Sequence, residues 1–514
     1  MLSISFGVLR NLQSPYHRFL KIESPLNPLK KLFKQTFIYG LATVLPRVIS
    51  FFLLPLYTSV FENASGYGQY VNIYAWIAIF NVFLAYGMET AFFRFYHKQE
   101  NKSTVVSTSL ISLLVSSLLF LIVAMVVKES LSGLTNINPD YIRFTAYILV
   151  LDALVIVPFA LLRAQEKPMN YAVLKSVNVI INLTFNVFFL LILPKTAQEN
   201  AASFLSSIYR TDWEIQYIFI SNIIASGVTL LILLPTYFKV SYTFDAALWK
   251  RMLKYAGPVM VAGIAFTINE VVDKILLTAI LPEGIAEAEV GKYGACYKLA
   301  LFMTLFGTAF RMGVEPFFFS HAKTEKPQKT YAEITSYFVI LGSLILLGVV
   351  VFIDVLGKLL IRNATYWEAL NVVPIILLGS FCLGIYHNLS VWYKVTDQTK
   401  FGAYISSVGA LITLVINIIF IPKIGYMASA LATLAAYASM MLLSYYFGRK
   451  YYPVPYNMRK IVFYLSVSIS FSALSFYVFN RNLIAGGLLL LLFLGMLYKL
   501  EGDKLKTIFL QRES

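Results

Sequence analysis

This sequence has little charge. Asp, Glu, Lys and Arg make up 13% of its 514 residues, against about 25% in soluble domains. With 58% hydrophobic residues and a mean hydropathy of +0.71, the chain cannot wrap one aqueous core in polar surface, so its solvent is lipid. Cysteine is nearly absent. Cys296 and Cys382 both fall in apolar runs, which excludes a disulfide framework and reads as inert buried thiols. The four histidines, His17, His97, His321 and His387, lack metal-ligand spacing. There is no Walker A sequence, no Gly-x-Gly-x-x-Gly turn and no His-Glu-x-x-His pair. The largest loop between apolar runs, 194–214, is only about twenty residues. A nucleotide-driven pump would therefore need a partner chain. A membrane-embedded glycan polymerase or ligase would need clustered catalytic residues on a large loop, and 194–214 lacks them.

What is present is a series of apolar runs of about 15–26 residues, each able to span a bilayer as a helix. They lie at 35–60, 70–93, 105–127, 141–162, 171–193, 215–237 and 256–281, then at 293–317, 331–355, 370–391, 401–421, 427–447, 461–479 and 483–497. The expected fold is an all-α integral membrane protein of about 14 transmembrane helices. The last two runs are joined by little more than Asn480, Arg481 and Asn482, so they form a tight hairpin. Residues 1–34 are basic and lack a continuous apolar run. They read as a cytoplasmic tail lying on anionic lipid rather than a cleaved signal.

The net charge of +16 is arranged by side, which sets aside nucleic acid as its explanation. With the N-terminus inside, the inner segments carry about 28 Lys and Arg and the outer segments about 7. Inner clusters include Lys30, Lys31 and Lys34, then Lys250, Arg251 and Lys254, then Arg449, Lys450, Arg459 and Lys460. The outer loop 282–290 holds Glu283, Glu287 and Glu289 and no base. A missed helix would exchange the sides of all later loops and destroy this contrast. Both termini are expected in the cytoplasm of a bacterial cell, with the chain crossing its inner membrane many times.

The chain also repeats. Gly68, Tyr70 and Tyr74 open the second run, and Gly291, Tyr293 and Tyr297 open the eighth at matching spacing. Gly87, Met88 and Glu89, then Phe92 and Phe93, close the second; Gly313, Val314 and Glu315, then Phe318 and Phe319, close the eighth. Ser176, Val177, Asn186 and Phe189 match Ser407, Val408, Asn417 and Phe420, and Arg163 and Glu166 match Lys394 and Asp397. The common order and nearly common offset argue for two six-helix halves. An even helix number gives both halves the same orientation, a parallel repeat about an axis along the membrane normal, with a path between the halves. The expected organisation is a basic tail 1–34, an N-lobe 35–238, a cytoplasmic linker 239–255, a C-lobe 256–447, a helix pair 448–498 and a tail 499–514.

Bases in or beside the apolar runs are Arg47, Arg143, Lys175, Lys274, Lys292, Lys298 and Arg311, with Arg94 at the end of the second run. A charge at mid-membrane costs several kcal/mol unless it meets a partner or cavity. Arg143, Lys175 and Lys292 lie near run ends and can snorkel. Arg47 lies near mid-depth, and Lys298 and Arg311 at opposite ends of one helix. The acids are fewer: Asp152 in mid-run, and Glu270 and Asp273 beside Lys274. Glu270 and Lys274 have the i,i+4 order of an ion pair, which leaves Asp273 without an obvious local partner; Asp152 has the depth to meet Arg47. The surplus of cations suits an anionic substrate in low dielectric; neutralisation of Asp152, Glu89 and Glu315 is the other reading. Pro46 beside Arg47, and Gly257 with Pro258, sit in the first helices of the two halves. They are candidate hinges for alternating access or static kinks.

Several segments resemble the polysaccharide-flippase branch of the multidrug/oligosaccharidyl-lipid/polysaccharide exporter superfamily. They are Leu45-Pro46-Arg47 through Leu54-Pro55-Leu56-Tyr57, Tyr86-Gly87-Met88-Glu89-Thr90-Ala91-Phe92-Phe93-Arg94-Phe95, Glu315-Pro316-Phe317-Phe318, Val391-Trp392-Tyr393-Lys394-Val395-Thr396-Asp397, and the turn from Pro422 to Gly425-Tyr426. The similarity runs over 27–455, leaving the first residues as an extension. The resemblance implies two lobes around a V-shaped cavity that opens to each side in turn. It implies export of an undecaprenyl-diphosphate-linked oligosaccharide for lipopolysaccharide or capsule assembly, with no enzymatic step. Many members have twelve helices; the extra pair here is similar to that of lipid II flippases. On this reading Arg47, Arg311, Lys298 and Arg94 hold the diphosphate and acidic sugars, and Glu89 and Glu315 gate the mouth. Asp152, Glu270, Asp273 and Lys274 are candidates for ion coupling. No cofactor is expected beyond a proton or sodium gradient. The expected partners are the lipid-linked oligosaccharide, membrane lipid and other polysaccharide-assembly proteins, and no nucleic acid. A lipid II flippase and a cation-coupled drug exporter are the alternatives within the superfamily. The second wants an acidic cavity, whereas the first apolar run carries Arg47 and no acid.

Overall fold

A computed structural model of the protein describes residues 44–45, 48–49, 51–199, 204–321 and 327–510, without the side chains of 316–317, 319–321 and 503–510. The tail 1–34 and, in the first apolar run, residues 35–43, 46–47 and 50, with Pro46 and Arg47 among them, lie outside these residues. Among the described residues all regular structure is helical. From 70 onward every expected span falls on helix, and among the described residues eleven helices are long and apolar enough to cross a membrane.

The helices are α1 (Phe51–Val60), α2 (Ala64–Lys98), α3 (Lys102–Thr135), α4 (Pro139–Ala164), α5 (Pro168–Glu199) and α6 (Glu214–Phe238). Then follow α7 (Ala246–Ile280), α8 in two segments (Ala286–Leu299 and Leu301–His321), α9 (Pro327–Val351), α10 (Ala364–Val395), α11 (Lys400–Ile424), α12 (Tyr426–Tyr451), α13 (Met458–Val478) and α14 (Leu483–Leu510). Side-chain caps start many of them. Asn63 accepts from the amides of Ser65 and Gly66, Asn101 from Thr104, and Asp245 from Ala247 and Leu248, satisfying donors that a helix start leaves open.

Two sets of helices pack to one plan. In the first, α2, α3 and α6 each pack on α4, and α5 packs on α6. In the second, α8, α9 and α12 each pack on α10, and α11 packs on α12. The plan reaches single polar atoms. Asn186 and Asn417, matched in sequence, each donate Nδ2 to the carbonyl four residues back, at 2.7 and 2.8 Å. Their Oδ1 atoms accept from Tyr57 and Ser429 hydroxyls at 3.0 and 2.7 Å. The internal repeat is therefore structural, and α13 and α14 stand outside it, packed on α9.

One end of the bundle carries Lys250, Arg251, Lys254, Arg449, Lys450, Arg459 and Lys460 and is the basic end. The other carries Glu283, Glu287 and Glu289 and is the acidic end. Proline shapes one wall between them. Pro158 has no N–H for the carbonyl of Leu154, and the Tyr237 hydroxyl donates to that carbonyl at 2.6 Å. α2 bends at Tyr86 and Gly87, which have φ of 31° and 72°. Gly87 is needed there because α7 comes close: a Cβ would lie 2.5 Å from the Ala256 carbonyl oxygen.

Candidate functional site

At the basic end each lobe holds one ion pair in the same place. Arg163 of α4 pairs with Glu89 of α2, and Lys394 of α10 pairs with Glu315 of α8 at 2.6 Å. These are the residues that the repeat matches. Each pair ties the lobe's second helix to its fourth. Glu166 and Asp397, also matched, have φ of 53° and 55°. The amides that follow, of Lys167 and Gln398, reach back five residues to Leu162 and Tyr393 carbonyls at 2.9 and 2.8 Å, the hydrogen bond of a Schellman end. The repeated acids thus end their helices, one of two jobs that spacing alone does not separate.

Arg311 lies one turn from Glu315 on α8. Its Nη1 is 3.5 Å from His387 Nε2 on α10, and the two share a narrow cleft with Glu315 and Lys394. Lys298, on the other segment of α8, is half-buried. Among the described residues neither Arg311 nor Lys298 has a carboxylate within ion-pair distance. Arg94 sits at the basic end with its guanidinium 4.3 Å from the centre of the Tyr255 ring on α7, which fixes it on the seam between lobes. The run-end bases are accounted for locally. Arg143 pairs with Asp140 at 3.0 Å, Lys292 bridges Glu289 and Glu368 at 3.3 and 2.6 Å, and Lys175 lies over the Phe159 ring at 4.4 Å.

The coupling candidates divide. The expected Glu270–Lys274 ion pair gives way to another. Lys274 Nζ lies 2.8 and 3.0 Å from the two carboxylate oxygens of Asp273 and donates to the Glu270 backbone carbonyl at 3.0 Å. Asp273 also accepts from the Tyr293 hydroxyl at 2.7 Å, so it does not lack a partner. The reason is α8: the Tyr297 ring lies 3.9 Å from Nζ and turns the lysine back along its own helix. Both residues are buried. Asp152 accepts from Ser226 at 3.0 Å, and Asn222, one turn before Ser226, donates to Tyr74 at 2.9 Å. Its suggested partner Arg47 lies outside the described residues. Among the hinge candidates, α7 runs unbroken through Gly257 and Pro258, and Pro46 lies outside the described residues.

Residues that sequence reasoning missed close the acidic end. Gly68 of α2 and Gly291 of α8 face each other. A Cβ on Gly68 would lie 1.8 Å from the Glu287 carbonyl oxygen, and one on Gly291 would lie 1.9 Å from that of Ala64. Each glycine therefore sits on the carbonyl four residues before its counterpart, a reciprocal contact at the axis of the repeat. Around it, Gln69 donates to Glu287 at 2.9 Å, Asn136 to Glu283 at 3.1 Å, and Tyr366 to the Asn63 carbonyl at 3.2 Å. The Arg362 amide donates to Thr58 at 3.0 Å. All join one lobe to the other. The signal was present in the matched glycines, but matching does not say that the copies touch.

Two like helix bundles, closed on each other at one end and carrying buried charge along their walls, form the fold of a membrane transporter. Comparison with known proteins agrees. A family model for polysaccharide biosynthesis proteins matches residues 32–320, more than half the chain, and the MatE model matches 258–419. The chain belongs to the polysaccharide biosynthesis protein family, within the multidrug/oligosaccharidyl-lipid/polysaccharide exporter superfamily. No curated protein matches it in sequence. Among solved structures it is similar to the lipid II flippase MurJ in an inward closed conformation, with 16% identity and a TM-score of 0.70 over 90% of this chain and 98% of that one. It is also similar to an inward-facing multidrug resistance MATE family transporter, with 12% identity and a TM-score of 0.61 over 84% and 96%. A superfamily transporter from Pyrococcus furiosus, described by the reverse polarity of its binding pocket, shares 11% identity and a TM-score of 0.55 over 84% and 95%. At these identities the likeness is one of fold. The protein is a multi-pass membrane protein of this family with the fold of flippases and transporters.

Proposed function

We propose that the protein flips an undecaprenyl-diphosphate-linked oligosaccharide from the cytoplasmic to the periplasmic leaflet of the bacterial inner membrane, for cell-surface polysaccharide assembly. One observation carries the reading. Asp273, Glu89 and Glu315 are each matched by a base, whereas Lys298 and Arg311 have no carboxylate partner among the described residues. A base left unmatched in low dielectric is costly unless an anion visits it, and guanidinium suits a diphosphate by bidentate hydrogen bonding. Arg47, in the first apolar run and outside the described residues, is assigned to the same path, and Arg94 waits at the mouth. Glu89 and Glu315 shape that mouth from within their ion pairs. Positive-inside bias makes the basic end cytoplasmic, with both termini there. The sealed acidic end is then periplasmic, and this state receives cargo from the cytoplasm.

Coupling to a proton or sodium gradient falls to Asp152. Asp273 has an ammonium partner at 2.8 Å in Lys274, while Asp152 accepts from the neutral Ser226 hydroxyl and has the Lys175 ammonium nearby but beyond ion-pair distance. Binding of a cation there would favour one of two states. Helices α13 and α14, packed on α9, favour lipid II as a second cargo of the same diphosphate chemistry.

The test is flipping of fluorescent undecaprenyl-diphosphate oligosaccharide and of lipid II in proteoliposomes, with Arg47→Ala, Lys298→Ala and Arg311→Ala beside wild type. Flipping that the substitutions abolish, with the protein folded, supports a cationic headgroup path. Flipping that survives all three removes the site assignment. Uptake of organic cations without lipid flipping moves the protein to the drug exporters.

A further inference from the structure

A second, chemically different cavity lies at the acidic end. It holds about 270 Å3 between the lobes, walled by α2, the α3–α4 turn, α7 and α8. That is close to the lower bound of the roughly 300–1,000 Å3 of small-ligand sites. Its polar wall is made of amides, Gln69, Asn72, Asn136 and Asn138, with the Tyr141 ring and one carboxylate, Glu287. Among the described residues no Lys or Arg lines it, whereas Arg311 and Lys394 line the cleft near the basic end.

Two details give this wall a ligand chemistry. Asn72 is buried, and its Oδ1 has no hydrogen-bond partner among the described residues. Glu287 is bound by Gln69 at 2.9 Å, so the one charge is already engaged. A primary amide offers two donors and a carbonyl with two lone pairs, which matches a sugar hydroxyl that both donates and accepts. A tyrosine ring gives an apolar face to the C–H side of a pyranose. With no base and one acid, the cavity disfavours a diphosphate. We infer that it is a subsite for the uncharged, hydroxyl-bearing sugars of the cargo, on the exit side and apart from the basic groups that take the diphosphate. The inference rests on the transport reading above.

Two fluorescent undecaprenyl-diphosphate lipids separate the claims, one with a neutral pentasaccharide head and one with a single sugar. The full chain in proteoliposomes is compared with Asn72→Leu and, on the more exposed turn, Asn138→Ala. The subsite predicts that Asn72→Leu slows the pentasaccharide lipid by about five- to tenfold, the size of one lost buried hydrogen bond, and that Asn138→Ala slows it less. The single-sugar lipid should keep its rate, which also shows that the variants are folded. Equal slowing of both lipids by both variants, or slowing of neither, overturns the subsite. Wild type that moves neither lipid overturns the transport reading and the subsite with it.

Discussion

Substituting Gly68 by alanine should force the acidic end open. The added Cβ would lie 1.8 Å from the Glu287 carbonyl oxygen. Real Cβ contacts do not fall below 3.0 Å, so α2 and α8 must part by at least 3.0 − 1.8 = 1.2 Å. Gln69 and Glu287, now 2.9 Å apart, are the residue after Gly68 and the residue whose carbonyl it meets. A separation of 1.2 Å along their line carries them to 4.1 Å, past hydrogen-bonding distance. The strain of overpacking is about 1–3 kcal/mol, which is roughly a 5- to 150-fold change in the balance between sealed and open states.

The chain contains its own reporter. Cys296 is buried on α8 and its thiol donates to the Tyr366 carbonyl at 3.3 Å. In a Cys382→Ala background, labelling of Cys296 by a membrane-impermeant maleimide should accelerate by that factor in Gly68→Ala. Gly291→Ala, with a 1.9 Å clash, should do the same. Gly133→Ala, where a Cβ meets nothing within 4 Å, is the control. Equal labelling in Gly68→Ala and Gly133→Ala, with both proteins folded, would refute the seam as the seal.

Asp273→Asn leaves the Lys274 ammonium buried and unpaired, which should lower stability by about 3–5 kcal/mol. Thermal unfolding in detergent measures it, and Asp273→Asn with Lys274→Met should recover most of the loss. No recovery would mean that Asp273 acts through Tyr293 instead. Tyr237→Phe removes the donor that serves the carbonyl freed by Pro158 and should cost about 1–3 kcal/mol. The same substitution in a Pro158→Ala background should cost much less, because the helix then bonds Leu154 itself; an equal cost in both would refute the link.

Much of this architecture was legible from hydropathy, because each helix that faces lipid must be apolar over its own length. The repeat was legible because its copies kept residue types at common spacing. Contacts were not. Glu89 and Arg163 were matched to Glu315 and Lys394 without any sign that each acid binds its own base, since an ion pair 74 residues apart leaves no periodicity. Helical spacing favoured Glu270 for Lys274, and the tyrosines of another helix decided for Asp273. Arg311 was expected as a cation in the path, but its neighbour His387 comes from α10 and was read only as a histidine without metal spacing. The amide cavity escaped because its residues come from four separate segments and none is unusual in its own.

The reciprocal seat of Gly68 and Gly291 has the geometry of an isologous contact, the kind that two identical subunits make across a dyad. In a dimer of separate six-helix chains, any substitution would strike such a seam twice and alter both walls of the passage together. Tandem fusion removes that constraint while keeping the dyad. Each half can then be changed alone: arginine serves the ion pair in one lobe and lysine in the other. A symmetric bearing can thus carry an asymmetric lining, as the proposed cargo, with a charged head and neutral sugars, would require.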